Sequence, residues 1–441
     1  MQLTRGIVAR YAAGSIGTGG FGTLPGLILV FFLTDTLGVA ALWAGVLVTA
    51  AKVWDVAIDP VIGARSDRSL AVTGSRRRFM LIGALALPVF FTLTFAVPGE
   101  LGPVPAGIWV LVAFVLCATA FSMFQVPYIA LPAELVQDYD ARTRLLSVRV
   151  VVLTVAILLF GAGGPELRDA FADERVGYLV LAIVAGLVIG GGMLGAVFSA
   201  PRGTPGAPAA RTSIAEHYRA GLGALRRSQP FRALLLTFVL QGLATGVMLA
   251  GAQYVAKWVL DAGVAILFAS LIAPALFCAP LWALISRRIG KERAFAIASI
   301  IFGLAALSLI GLIWVPGPWL YVPVAIAGAA YAGMQTLPMA MLPDVISQDA
   351  RTHGAGGAGV FGGVWTAGET TGMALGTTVL TIVLAISGYV ESVAGQEVAQ
   401  SPAAIAGIIV SFSVVPAVIM ALSLVSLVRY RLRKHDIEVG A

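Results

Sequence analysis

The chain has 441 residues, of which 59% are hydrophobic before its 51 glycines are counted and only 12% are charged. Ordinary soluble domains carry about 25% charged residues, so this composition excludes a water-soluble globular protein and reads as an integral membrane protein. The formal net charge of +7 is spread along the chain and forms no single basic face, which excludes a nucleic-acid partner.

Apolar stretches of about 20 residues, the length that crosses a bilayer, begin near Ile16, Ala41, Phe79, Ala106, Leu145, Gly177, Arg232, Gly263, Ala294, Trp319, Gly356 and Ala403, twelve in all. Arg5 and Arg10 precede a first span that is long enough to cross the bilayer and is followed by many more, so no cleavable signal peptide is expected. This span carries Gly14, Gly17, Gly19, Gly20, Gly22 and Gly26. Such a backbone-lined stretch serves either tight helix packing or a bulky, partly apolar ligand.

The second span reads Ala51-Lys52-Val53-Trp54-Asp55-Val56-Ala57-Ile58-Asp59-Pro60. Asp55 and Asp59 are four apart and share one helix face, with Lys52 nearly on it. Each ion costs at least about 2.5 kcal/mol in a membrane helix, so the three must face an aqueous path or each other. Two carboxylates at that separation repel unless a proton or a cation lies between them. Pro60 removes a backbone donor and frees a carbonyl one turn back, a further oxygen for a hard monovalent ion. The pattern therefore reads as a cation site. A Lys52 and Asp55 pair that merely locks the helix is the plainer alternative, and it leaves Asp59 unpaired.

In the fifth span Arg149 offers a planar fork suited to a carboxylate, sulfate or phosphate, or else snorkels to the interface. The link from Pro201 to Phe231 has Pro, Gly, Ala and five arginines. It reads as a flexible cytoplasmic linker and divides the chain into 1–200, 201–231 and 232–441. In the eleventh span Glu369 is an intramembrane carboxylate, a functional candidate with Lys52 or Arg149 as possible partner. Trp43, Trp109, Trp258, Trp314 and Trp319 fall near span ends, as interfacial anchors do. Cys117 and Cys278 lie in separate apolar runs, and His217, His353 and His435 have no metal-ligand spacing, so disulfides and zinc chemistry are not expected.

Internal repetition is clearest at matched loops. Ser66 to Arg78 and Ser286 to Arg293 are basic stretches before the third and ninth spans, and Leu131 to Thr143 and Leu342 to Thr352 share Leu-Pro, Gln-Asp and Ala-Arg-Thr after the fourth and tenth. Six spans plus six in the same orientation imply two parallel repeats and an all-α, twelve-helix major facilitator fold with substrate bound near the midplane. Nearly all lysines and arginines outside the spans fall in the N-terminus, the even loops and the tail, the exceptions being Arg168, Arg175 and Lys257. The positive-inside rule then puts both termini in the cytoplasm.

The run Thr34-Asp35…Lys52-Val53-Trp54-Asp55…Asp59-Pro60…Gly63, with Val126-Pro127-Tyr128 and Asp140-Ala141-Arg142-Thr143-Arg144 after it, resembles the glycoside, pentoside and hexuronide cation symporter family, the melibiose permease type. The resemblance covers essentially the whole chain. It implies that Asp55 and Asp59 hold the coupling ion, normally sodium and sometimes lithium or a proton, and that Ser122 lends a hydroxyl to it. Ser122 back-bonded to its own helix is the alternative. It further implies solute binding around Gly19, Gln125, Tyr128, Arg149 and Glu369. Here the chain departs from the family pattern: galactoside carriers have carboxylates at the positions of Gly19 and Gln125 and a lysine near Glu369, and the aromatic after the Pro-aromatic pair is replaced by Ile129. By resemblance to the superfamily's loop between helices two and three, Asp67 and Arg68 form a conformational latch, with Asp67 meeting a helix N-terminus of the opposite bundle.

The resulting expectation is a non-enzymatic secondary active transporter that carries a small organic solute with sodium by alternating access. It needs no cofactor, works as a monomer and resides in a plasma membrane, the inner membrane if the source is bacterial. An amphiphile such as a lysophospholipid is the alternative cargo, favoured by Gly19, Gln125 and Ile129. A membrane enzyme or non-transporting sensor is a remote third reading, since no nucleophile and base set lies within the spans.

Overall fold

The computed structural model describes residues 4–135, 139–200, 223, 225–353, 358–396 and 398–430. Most of the expected linker (201–222 and 224) lies outside the described residues. The described helices are α1 (Arg5–Phe31, continued by a π turn Phe32–Thr36), α2 (Ala41–Thr73), α3 (Arg77–Phe95), α4 (Pro103–Leu135), α5 (Tyr139–Asp169) and α6 (Glu174–Val197). After the linker come α7 (Gln229–Trp258), α8 (Val264–Ile289), α9 (Lys291–Ser308), α10 (Tyr321–His353), α11 (Ala358–Ile386), α12 (Pro402–Phe412) and α13 (Val414–Val428). The last two form one span broken at Ser413, so 12 candidate membrane spans result.

Polar side chains start these apolar helices. Thr4 caps α1 at Ile7, Asp173 accepts from the Arg175 and Val176 amides, and Ser228 and Ser401 cap α7 and α12. In water each cap is a modest stabiliser; at a membrane boundary it satisfies amides that lipid cannot. The faces turned away from neighbouring helices are apolar too. On α5, Val150, Val151, Val155 and Leu159 are more than half exposed, and Phe277 on α8 is 80% exposed. A row of that kind is a liability in water and ordinary against acyl chains.

The chain forms two compact units, one of residues Met1–Ile214 with Glu391–Val398, the other of Ala215–Val390 with Ala399–Ala441. In the first, α1 packs on α5 and α6, α3 on α4 and α6, and α2 on α4. In the second, α7 packs on α11 and on the last span, α9 on α10 and the last span, and α8 on α10. The partner list of each helix in the second unit is that of the helix six spans earlier. This is the structural form of the sequence repeat. The segment after Val390 adds to the first unit: Ser392 and Ala394 amides donate to the Thr34 and Thr36 carbonyls at 3.0 Å each.

Three boundaries differ from the sequence expectation. The first span starts at Arg5, well before Ile16, because Thr4 supplies the cap. The second span stays helical to Thr73 and ends on Gly74, whose φ of 69° is a left-handed cap that glycine adopts without strain. Asp67 and Arg68 are therefore in the last turns of α2, where a loop was expected. Likewise the stretch Leu342 to Thr352 is the end of α10, where Lys291 meets Asp344 at 2.6 Å and Arg227 meets Asp349 at 2.7 Å.

Candidate functional site

The charged residues of α2 meet α4 inside the first unit. Asp55 Oδ1 accepts from the Ser122 hydroxyl at 3.0 Å, and Asp55 Oδ2 lies 3.9 Å from Lys52 Nζ. Lys52 also sits over the rings of Phe21 (5.6 Å) and Phe114 (5.9 Å), a cation–π setting that holds its ammonium against the α1 and α4 side. Asp59, one turn on, has a buried Oδ1 with no hydrogen-bond partner among the described residues. The site so described has two carboxylates and one ammonium, hence one net negative charge. Uncompensated charge inside a span is costly, and a single monovalent cation removes it.

The donor chemistry agrees. Carboxylate and hydroxyl oxygens are hard ligands suited to alkali or alkaline-earth ions. A divalent ion would leave the site positive. Among the described residues no cluster of three or more His, Cys, Asp or Glu side chains is placed to hold a metal. Trp54, between the charged positions, donates from Nε1 to Thr119 Oγ1 at 2.9 Å and so fixes α2 against α4 beside the site.

One turn along α4 from Ser122, Gln125 accepts from Thr18 on α1 at 2.8 Å. The cation donors and this amide thus share one helix. Gly19, expected to line the solute path, is instead packed against α5: a Cβ there would come within 3.0 Å of the Leu153 carbonyl oxygen. Gly17 and Gly20 similarly take Met193 and Ile189 of α6. The glycines of α1 serve close helix approach, and the polar face of α1 is Tyr11, Ser15 and Thr18, spaced four and three apart.

Tyr128 is 0% exposed. Its hydroxyl is 2.9 Å from Ser15 Oγ and donates to the Tyr11 carbonyl at 2.9 Å, and its ring stacks on Tyr11 at 4.8 Å. It supports Arg149, whose guanidinium lies 5.3 Å from the ring centre. Arg149 Nε and the Tyr11 hydroxyl are both buried without partners among the described residues. Ile129 is 53% exposed.

Asp67 is ion-paired with Arg76 just beyond α2, and Arg76 Nη1 donates to Ser66 at 2.9 Å. The pair closes the turn between α2 and α3 within its own unit. Arg68 is exposed. Glu369 lies in the second unit, on α11, beside Gln335.

Residues 10–434 match the family model described as MFS/sugar transport protein. The chain is 32% identical over 191 residues to an uncharacterized symporter of Synechocystis, covering 40% of this chain and 35% of that one. It is 24% identical over 437 residues to the glucuronide carrier protein homolog of Escherichia coli, covering 96% of this chain and 92% of the other. Among solved structures, a mutant of the nucleoside transporter NupG superposes with a TM-score of 0.66 at 12% identity, covering 96% of this chain and 98% of that one, which shows the fold.

Proposed function

Given that the chain belongs to the MFS/sugar transport protein family, we propose that it is a sodium-coupled symporter of a glycoside-like solute, working by alternating access. It is a multi-pass membrane transporter and not an enzyme. The observation that carries the sodium reading is the buried, unpartnered Asp59 Oδ1 next to an Asp55 already engaged by Lys52 and Ser122. One monovalent cation neutralises this set and takes Asp59, Asp55 and the Ser122 oxygen as ligands.

Coupling follows from the shared helix. A cation that draws Ser122 toward α2 sets the position of α4, and with it Gln125, the polar group for the solute that lies next to Thr18. Solute and cation then favour the same conformation, so each raises the other's affinity by the same factor. The neutral, loaded carrier changes access; with the site empty, the net negative charge and the inward positive termini bias its return. The glycoside reading rests on the family and on the glucuronide carrier homolog. Of the residues that favour the amphiphile alternative, Gly19 is packed against α5.

The reading includes cytoplasmic termini, a functional monomer and residence in a bacterial inner membrane. The test is uptake into proteoliposomes under an inward sodium gradient, with methyl β-D-glucuronide, methyl α-D-xyloside, methyl α-D-galactoside and lysophosphatidylcholine as probes and potassium as control. Sodium-driven accumulation of a glycoside is expected. Accumulation of the lysolipid alone, or uptake of a glycoside indifferent to sodium, contradicts it.

A further inference from the structure

The loop between α11 and the last span makes contacts that the cation mechanism does not use. The chain before Glu391 and after Val398 belongs to the second unit, whereas Glu391–Val398 itself belongs to the first. One side chain closes the base of the loop: Gln400 accepts from the Val390 amide at 3.0 Å and donates to the Val390 carbonyl at 2.6 Å. The tip turns at Gly395, whose φ is 81°, with the Gln396 amide donating to the Val393 carbonyl at 2.9 Å.

This segment docks on the junction of α1 and α2. The last carbonyls of a helix find no partner within it. Here the Ser392 and Ala394 amides satisfy those of Thr34 and Thr36, and the Ser392 hydroxyl donates to the Asp35 carbonyl at 3.0 Å. Val393 faces Leu37 in an antiparallel bridge, and Gly38 leaves room for it, since a Cβ there would come 2.9 Å from Val393 Cγ2. The start of α2 has the opposite need, an acceptor for its amides. Ala40 offers no side-chain cap, and Glu391 Oε1 accepts from the Ala41 amide at 2.7 Å, placing a carboxylate at the positive end of the helix. The helix is thus capped by a residue 350 positions away. Asp55 lies about 21 Å further along the same helix, and Asp59 one turn beyond it.

These bonds lie at the ends of two spans, where water can replace a lost partner at modest net cost. A contact of that kind releases and re-forms, which a close-packed apolar crossing does not. Alternating access rocks one repeat against the other. A segment that the first unit holds and the chain of the second unit carries therefore lets go during the cycle or arrests it. We propose that Glu391–Val398 is a releasable strap, docked while the carrier is shut to the outside and free while it is open there. The proposal rests on the alternating-access reading and on the orientation proposed above, which puts this loop outside. Docked, the strap caps the helix of Asp55 and Asp59; released, it leaves that helix uncapped, so strap and carboxylates are linked through α2.

The test is the pair Leu37→Cys and Val393→Cys in the full chain, with Cys117→Ala and Cys278→Ala. Directly opposed residues of an antiparallel bridge have Cα atoms about 4.5–5.5 Å apart, within reach of a disulfide. The assay is uptake into proteoliposomes under an inward sodium gradient, with whichever of methyl β-D-glucuronide, methyl α-D-xyloside or methyl α-D-galactoside the wild type accumulates. Oxidation is expected to form the disulfide, read by peptide mass, and to abolish uptake, with recovery on reduction; either cysteine alone should be indifferent to oxidant. Ser392 is 5% exposed, so Ser392→Cys reports docking through its rate of maleimide labelling in the purified protein. Glu391→Ala should speed that labelling by about tenfold, the worth of one hydrogen bond to a charged group, and Glu391→Gln by less. Uptake that persists in the crosslinked protein, a pair that does not crosslink, or labelling unchanged by Glu391→Ala each overturns the strap and leaves the symport reading standing. A wild type that accumulates none of the three glycosides overturns both.

Discussion

Replacing Lys52 by glutamine removes the ammonium that stands 3.9 Å from Asp55 and leaves both carboxylates in place. A cation bound by the same carboxylates stands somewhat further from that ammonium than Asp55 does. At roughly 6 Å and an effective dielectric of about 20, the repulsion Lys52 exerts on it is about 3 kcal/mol. Relief of that repulsion predicts sodium binding tighter by up to about 100-fold in Lys52→Gln, at about 1.4 kcal/mol per tenfold. Transport should nonetheless slow, because the loaded site now keeps one negative charge that must cross the closed barrier. Calorimetric sodium titration together with initial uptake rates checks both halves. If Lys52 only locks α2 against α1 and α4 through its contacts with Phe21 and Phe114, the variant will lose thermal stability and bind sodium equally or more weakly. That result refutes the charge argument.

Ser122→Ala deletes the hydroxyl that donates to Asp55 at 3.0 Å and should weaken sodium binding by about tenfold, about 1.5 kcal/mol, with folding intact by thermal denaturation. Tyr128→Phe removes a fully buried hydroxyl bonded to Ser15 and to the Tyr11 carbonyl; it should cost about 1–3 kcal/mol of stability, read as a lower Tm, while sodium affinity changes little. Gly372→Ala puts a Cβ 2.5 Å from the Val239 carbonyl oxygen at the α7 and α11 crossing, which overpacking should turn into a loss of about 1–3 kcal/mol, seen as reduced Tm without a change in the sodium constant.

The spans and the paired carboxylates of α2 were legible because both are local signals. An apolar run of bilayer length stands out against any loop, and an aspartate inside such a run stands out more. The four-residue spacing of Asp55 and Asp59 then gave the shared face without reference to any other helix. What was not legible depends on neighbours. Gly19 sits in a stretch so rich in glycine that sequence assigns no face, and only the Leu153 carbonyl shows which way it points. Tyr11, Ser15 and Thr18 carry a helical polar spacing, but in a helix with glycines on every side that spacing alone does not say which neighbour the face meets. Asp67 was misplaced because a basic, glycine-ended stretch looks like a loop, whereas α2 continues to Thr73 before Gly74 caps it. A small cavity lined by Gln241, Tyr331 and Glu369 draws on three helices, α7, α10 and α11, so no window of sequence contains it.

The central claim, that Asp55, Asp59 and Ser122 hold a coupling sodium ion, is tested most directly by titrating purified protein with sodium in a calorimeter, with potassium as control and Asp59→Asn alongside. A carboxylate within about 4 Å of the ion is worth about 4 kcal/mol at an effective dielectric of about 20, so the variant should lose sodium binding by about a thousandfold. The account predicts saturable sodium binding, one ion per chain, absent with potassium and lost in Asp59→Asn. Sodium binding that survives Asp59→Asn unchanged, or no sodium heat in the wild type at any pH, contradicts it.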